Sequence, residues 1–386
     1  MQPAPDKNRR KTSRALRMVI AGGGTGGHLF PGIAIAYEFM GRHPRNRVLF
    51  VGTGKPLEIS ALSVTGFNFE RITAAGIKGR GWARQALSIA KIPKGIIESI
   101  LILKRFGPDL VVGVGGYAAG PLVIGAWLLR IPIALHEQNM LPGITNRILF
   151  YFAGRVCVSF DNTRLPKGLQ KVRVTGNPVR PEIIKCAHNQ KAVTPADAAK
   201  KRPFTILIIG GSQGANSLNL AVINTMEYIK AKDAFYFIHQ TGVQDETMVK
   251  DAYHRHGISG TVRSFFIDMA RQYQSADMVI CRAGATTVAE ITAIGKGVLF
   301  VPFPHAADNH QVLNAQSLVN AGAAEMILQK DLNGKRLADR IAYYAANPQA
   351  LDQLASKAKN FGRPDAAAMI VDDCYRLVNS SNQLTI

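Results

Sequence analysis

The sequence predicts an α/β protein built from two doubly wound parallel sheets, and three observations carry that prediction. A short apolar run, a glycine-rich turn and a helical apolar pattern follow one another twice, beginning near residue 18 and again near residue 205. Apolar runs then alternate with helical stretches through both halves. The chain, at 386 residues, is also too long for one ordinary hydrophobic core and fits two domains.

The elements are read in order. Met18 to Ala21 forms a strand that enters Gly22-Gly23-Gly24-Thr25-Gly26-Gly27-His28, and Ile33, Ala36, Tyr37 and Met40 mark the helix beyond. Further strands are expected at Val48 to Val51, Leu110 to Val114 and Ile133 to Leu135. The second half opens with Thr205 to Ile209 and turns through Gly210-Gly211-Ser212-Gln213-Gly214. A helix follows near Ala215, carrying Leu218, Leu220, Val222 and Ile223. Strands at Phe235 to His239, Met278 to Cys281 and Val298 to Val301 complete the pattern. The implied organisation is a basic tail over 1–16, an N-terminal domain over 17–180, a polar connection over 181–203 and a C-terminal domain over 204–364. A final helix over 365–386 is expected to pack back on the N-terminal domain. A cleft between the domains is the default site.

Composition narrows the class. Hydrophobic residues at 47% against 19% charged, with glycine and proline in short clusters, exclude long disorder. Cys157, Cys186, Cys281 and Cys374 lie far apart without a C-x-x-C pair, which favours buried reduced thiols over a zinc site or a disulfide framework. The basic N-terminus has an apolar stretch too short for a signal-peptide core, so a cytoplasmic protein is expected. Arg130 and Pro132, or Glu98, interrupt the most apolar stretches, and no transmembrane helix is expected. A net charge of +21 favours contact with an anionic surface, either nucleic acid or lipid.

A strand-to-helix turn without side chains lets backbone amides and a helix N-terminus face a phosphate, so anionic ligands are implied. Residues 22–27 match G-x-G-x-x-G, but no acidic residue closes the second strand to hold a nicotinamide-cofactor ribose; Gly52-Thr53-Gly54 follows instead. A P-loop fails as well, because His28-Leu29 replaces Lys-Ser/Thr after Gly27.

The blocks GGGTGGHLFPG (22–32), VGVGGYAAGP (112–121), LHEQNMLPGITN (135–146), VTGNPVR (174–180), GGSQGAN (210–216), FFIDM (265–269), CRAGATTVAE (281–290) and VPFPHAADNHQVLNA (301–315) stand in one order. They closely resemble the MurG family, bacterial transferases that move N-acetylglucosamine from UDP onto a lipid-linked muramyl-peptide precursor of the cell wall. The resemblance implies a GT-B type fold of two Rossmann-like domains, with the donor held mainly by the C-terminal half and the lipid acceptor by the N-terminal half. By that resemblance Glu290 accepts hydrogen bonds from the ribose hydroxyls, and Ala285, Thr286, Thr287, Val288 and Ala289 form the donor loop beside it. Ile267 holds uracil through its backbone. Ser212 and Arg180 contact the diphosphate or nucleotide, and Thr25, Gly26 and Gly27 reach the donor. Asn139, Gln311 and Asn314 bond the sugar hydroxyls, a task that amides suit because they both donate and accept.

The implied reaction is an inverting attack of the muramyl 4-hydroxyl on the anomeric carbon, with UDP leaving. No D-x-D motif is present, so no metal and no cofactor is assigned; UDP-N-acetylglucosamine is a substrate. His28 is the best candidate base, since an imidazole suits proton transfer near neutrality and stands at the glycine turn. Glu137 and His136 are the alternatives.

Lys78, Arg80, Arg84, Lys91, Lys94, Lys104 and Arg105 interleave with Ile77, Trp82, Leu87, Ile89, Ile92, Ile96 and Ile97, opposed only by Glu98. Residues 77–105 therefore read as a surface for an anionic membrane, placing the protein peripherally on the cytoplasmic face of the inner membrane beside its lipid-linked acceptor, lipid I. Other cell-wall synthesis proteins are admissible partners. The tail from Lys7 to Arg17 adds six cations, and reads equally as a solvated arm. Two rivals stand beside this reading. A UDP-N-acetylglucosamine epimerase would share fold and donor but has no use for the basic-apolar stretch. A nucleic-acid binder would explain the charge but lacks a recognisable motif, and no nucleic-acid partner is expected.

Overall fold

A computed structural model describes residues 14–75, 91–165, 170–188, 202–211 and 214–383. It divides into two units: the chain up to Arg180 together with the chain from Arg363 onward, and Pro181–Gly362.

The first unit is a seven-stranded parallel sheet in the order β3-β2-β1-β4-β5-β6-β7. Its strands are β1 (Arg17–Gly22), β2 (Arg47–Gly52), β3 (Asn68–Arg71), β4 (Leu110–Gly115), β5 (Ile133–Glu137), β6 (Arg155–Val158) and β7 (Val172–Val174). The central strands read as continuous apolar runs because both faces are covered. Met18 and Ile20 join one core with Ile33, Ile35 and Phe39 of helix α1 (Gly26–Arg42), while Val19 and Ala21 join another. That second core includes Ile102 and Leu103 of α3 (Ile92–Phe106) and Leu122 and Val123 of α4 (Ala119–Leu128). Between β2 and β3 lies α2 (Pro56–Ser63), and α5 (Ile144–Leu149) follows β5. Strand order reverses between β1 and β4, the point where an open α/β sheet leaves a crevice at its carboxyl ends.

The second unit repeats the scheme in six parallel strands, ordered β10-β9-β8-β11-β12-β13. They are β8 (Phe204–Ile209), β9 (Phe235–Gln240), β10 (Gly260–Arg263), β11 (Met278–Cys281), β12 (Gly297–Phe300) and β13 (Glu325–Met326). Here the reversal lies between β8 and β11. The motif-bearing helices are α7 (Asn216–Thr225) after β8, α8 (Glu246–His256) after β9, α9 (Met269–Ser275) after β10 and α10 (Ala285–Ile294) after β11. Beyond β12 comes α11 (His310–Asn320).

Pro181–His188, read from sequence as the start of a polar connection, forms helix α6. Proline opens its first turn with Glu182 beside it, and Ile183 and Cys186 turn inward; the Cys186 thiol meets the Ala270 carbonyl at 3.3 Å. The rest of that connection, 189–201, lies outside the described residues, as do the tail 1–13 and 76–90. After α12 (Gly334–Ala346) and α13 (Pro348–Lys359), helix α14 (Ala366–Gln383) buries Ile370, Val371, Cys374 and Val378 in the first unit's core. Arg42 ties it to α1 through Glu38 and Asp372, at 2.7 and 3.0 Å. All four cysteines are free and buried.

Candidate active site

In the first unit the glycine turn leaves β1 at the switch point and delivers Thr25 to the N-cap of α1. Thr25 does not cap with its side chain; its Oγ1 lies 3.1 Å from Nδ1 of His28, and its carbonyl receives the His28 and Leu29 amides. No acidic residue occupies the first turn of α1, so the positive end of the helix dipole is not neutralised from within. The His28 ring rests against Gly115 at the end of β4. A Cβ there would stand 2.7 Å from the ring, and Gly115 also adopts φ +91°, so only glycine admits the imidazole. The guanidinium of Arg180 stacks on Phe30 of the same helix, 4.7 Å from the ring centroid. The structure thus gathers Thr25, Gly26, Gly27, His28 and Arg180 on the rim where β1 and β4 diverge.

The HEQN block does different work. His136 is fully buried, bonded to Asn177 at 3.0 Å, and burial pulls its pKa down to about 4, so it is neutral near pH 7 and inaccessible. Glu137, 2% exposed, accepts hydrogen bonds from the Asn139 amide, the Asn139 and Asn146 side chains and the Gly143 amide. Burial raises its pKa, against the pull of those bonds. Its carboxyl thereby fastens the turn between β5 and α5, and as an alternative base it has no open approach. Gln138 donates to the Val114 carbonyl at 2.8 Å, which joins this turn to the β4 end. Asn139 remains half-buried on the turn that Glu137 holds.

In the second unit the turn after β8 is pinned from below. Gly214, at φ +80°, packs where a Cβ would lie 2.3 Å from the Thr241 carbonyl, so a side chain there would push the turn off β9. Asn219 bonds the same carbonyl and Asp245, and its Oδ1 meets His239, whose other nitrogen meets Tyr253. Burial drives His239 down to a pKa of about 3, so this network is neutral at the imidazole. Ser212 lies outside the described residues.

Helix α10 is capped at Gly284 without a side-chain hydrogen bond and has no acid in its first turn, so the positive end of its dipole is not neutralised from within. Val288 is buried in the core and Ala289 half-buried. Glu290, 4% exposed, accepts from Tyr273 Oη at 3.0 Å, which fixes one carboxylate oxygen. Ile267 is 84% exposed on the loop between β10 and α9, although its residue type alone suggests core.

Two amides differ from expectation. Gln311 turns its carbonyl oxygen to the Phe303 amide at 3.0 Å. Asn314 is fully buried and donates to the Ala283 carbonyl, so it supports the loop before α10. Asp308 and Asn309, both with positive φ, turn the chain into α11, a conformation those two residue types tolerate best after glycine.

Sequence reasoning missed Tyr273, Gln240, Asn219 and Arg282. Arg282 anchors the β12 end through the Val301 and Pro302 carbonyls and Gln329, with its pKa lowered to about 10 by burial. Each stands inside or beside an apolar strand or helix and resembles ordinary core punctuation; only its bonding partners mark it.

Two parallel units, each with a glycine turn and uncapped helix amides at its switch point, define a class of α/β proteins made to hold phosphate-bearing ligands. The glycosyltransferase family 28 N-terminal domain matches residues 18–158 and its C-terminal domain matches residues 205–370. A UDP-N-acetylglucosamine--N-acetylmuramyl-(pentapeptide) pyrophosphoryl-undecaprenol N-acetylglucosamine transferase of Syntrophus aciditrophicus is 44% identical over 94% of this chain and 99% of its own. The enzyme of the same name from Anaeromyxobacter sp. is 45% identical, covering 94% of both chains. A crystal structure of Acinetobacter baumannii MurG superposes with a TM-score of 0.71 at 31% identity, over 92% of this chain and 98% of that one. The chain belongs to glycosyltransferase family 28 and, within it, to the MurG family. A UDP-N-acetylglucosamine 2-epimerase from Neisseria meningitidis, at 13% identity and a TM-score of 0.63, shares the fold alone.

Proposed function

We propose that this protein transfers N-acetylglucosamine from UDP-N-acetylglucosamine to the 4-hydroxyl of the muramyl sugar in undecaprenyl-pyrophosphoryl-muramyl pentapeptide, with inversion at the anomeric carbon. The observation that carries the reading is end-to-end similarity to enzymes of that name, together with family motifs lying at both sheets' switch points. The new bond joins the muramyl O4 to the sugar C1 as the bond from C1 to the β-phosphate oxygen breaks. His28 takes the hydroxyl proton; in the tautomer whose Nδ1–H donates to Thr25 Oγ1, Nε2 carries the lone pair.

UDP leaves with added negative charge. The uncapped amides of α10, the turn bearing Ser212 and the Arg180 fork stabilise it in place before the reaction starts. Glu290, steadied by Tyr273, holds the ribose, and the backbone of Ile267 reads uracil. Thr25, Gly26 and Gly27 complete the donor contacts, while Asn139 and the amide nitrogen of Gln311 bond the sugar.

The lipid acceptor calls for a membrane-facing surface, and a basic and apolar face of the first unit supports that reading. On α3, Lys91, Lys94, Lys104 and Arg105 are exposed together with Ile97 and Leu101. Glu98 does not oppose them fully, since its carboxylate bonds the Thr73 amide and hydroxyl. Trp127 and Leu128 at the end of α4, and Ile144, Ile148 and Tyr151 in and beside α5, are also exposed. A hollow of about 800 Å³ lies between Leu141, Tyr151 and Leu165, with Arg147 and Arg164 on its wall. No helix among the described residues is long and apolar enough to cross a membrane, and peripheral binding at the cytoplasmic face fits such a surface.

Labelled UDP-N-acetylglucosamine with the lipid-linked muramyl peptide tests the activity, against UDP-glucose and UDP-N-acetylgalactosamine as donors. Transfer from the first donor is expected, and no transfer from any of the three overturns it. Flotation with anionic vesicles tests the surface, which Ile97→Asp with Leu101→Asp should release.

A further inference from the structure

Gln240 ends β9, the strand lying between β8 and β10, and its side chain is 3% exposed. The loops after β8 and β10 flank that strand without being neighbours in the sheet. Gln240 bridges them: its Nε2 donates to the Gly211 carbonyl at 3.2 Å, and its Oε1 accepts from the Phe266 amide at 3.1 Å. The partners decide the orientation, because a carbonyl can only accept and a backbone amide can only donate. Gly211 lies in the glycine turn, at φ +95°, and Phe266 directly precedes the exposed Ile267.

We propose that Gln240 is a positioning residue for donor selectivity, locking the phosphate-reading turn and the base-reading loop in one register. This rests on the assignment of uracil to the Ile267 backbone. A peptide group that reads a base must present its amide and carbonyl at fixed angles, and the side chain of Ile267, exposed as it is, does not set them. The Gln240 amide supplies one donor and one acceptor at a place where both loops are reached by one side chain. Glutamate at this position keeps the bond to the Phe266 amide and loses the one to Gly211; methionine has nearly the same shape and loses both.

The test measures binding of UDP and CDP to the full-length protein, and kcat and KM for UDP-N-acetylglucosamine, in the parent, Gln240→Met and Gln240→Glu, with thermal melts to establish folding. The parent should favour UDP over CDP. Gln240→Met should weaken UDP about tenfold and shrink the UDP-to-CDP preference about threefold or more, with KM rising more than kcat falls. Gln240→Glu should weaken UDP yet keep most of the base preference. A folded Gln240→Met with unchanged preference and affinity overturns the lock while leaving the uracil assignment standing. A Gln240→Glu protein that loses base preference as completely as the methionine variant also overturns it. A parent that binds UDP and CDP equally overturns the uracil assignment and the lock with it.

Discussion

The two switch points share a topology and differ in their chemistry. The first presents a half-buried imidazole at its rim and a stacked guanidinium beside it, and it buries its other titratable groups, His136 and Glu137, beneath the turn. The second offers amides, a carboxylate fixed by a tyrosine and an exposed isoleucine, while its own imidazole, His239, is sealed in a neutral network. On the proposed function, one edge moves a proton and the other holds an anion. The same strand-turn-helix frame stands in both and supplies only backbone amides, so the side chains around it, such as His28 in one and Glu290 with Tyr273 in the other, make the difference.

That division is most exposed to test at His28. Alanine there should lower kcat by about 10²- to 10⁴-fold, the usual worth of a general base, and change the affinity for UDP by less than about threefold. Steady-state kinetics with a UDP binding assay separates the two. A variant that loses UDP affinity and keeps its turnover would invert the roles of the two edges.

The buried imidazoles offer a second comparison, since each unit hides one beneath its glycine edge. Their folded-state pKa values, about 4 for His136 and about 3 for His239, lie below that of a free imidazole. From roughly pH 6.5 downward the unfolded chain binds protons that the folded chain refuses, so stability falls with pH through that window and levels off below the folded values. Each histidine can contribute on the order of 3 kcal/mol to that loss. Glu137 acts with the opposite sign: its carboxyl is raised, so it favours the fold most at low pH and less as pH climbs past the ordinary carboxylate range. Denaturant midpoints between pH 7.5 and 5 should decline, and less so in His239→Gln than in the parent.

How much of this was legible in the sequence divides along the same line. The central strands were read because burial on both faces writes an unbroken apolar run, as in Leu110 to Val114. Edge strands such as β3 and β10 were not, since Asn68–Arg71 and Gly260–Arg263 leave much of their length exposed and carry polar residues. The glycine turn before His28 is legible as a motif, and Glu290 stands out only through the family resemblance. Tyr273 and Gln240 were not legible, because an isolated polar residue in an apolar run has no pattern until folding supplies its partner. Asn314 is buried and bonds the Ala283 carbonyl, a partner its residue type does not announce: type tells of hydrogen bonding but not of its direction.

Glu290 and Tyr273 test the holding edge. Glu290→Ala should raise KM for UDP-N-acetylglucosamine by about 10- to 100-fold, the range for losing charge-assisted hydrogen bonds to a ligand, with a smaller fall in kcat. A kcat loss matching that of His28→Ala would place proton transfer at the second edge instead.

Tyr273→Phe is the smallest and the sharpest of these changes. It removes one hydroxyl from a buried site and leaves the ring, which is 1% exposed, to pack as before. Glu290 then keeps its charge but loses the bond at 3.0 Å that holds one oxygen in place. A carboxylate held less firmly must be ordered further whenever a ribose binds, so KM for the donor should rise about three- to tenfold while kcat stays within about twofold. In a double-mutant cycle with Glu290→Ala, the tyrosine change should have little further effect on KM, because the bond to the carboxylate carries its influence. Additive effects of the two substitutions would instead mean that Tyr273 supports the second edge through its packing, and that Glu290 is held by the helix without it.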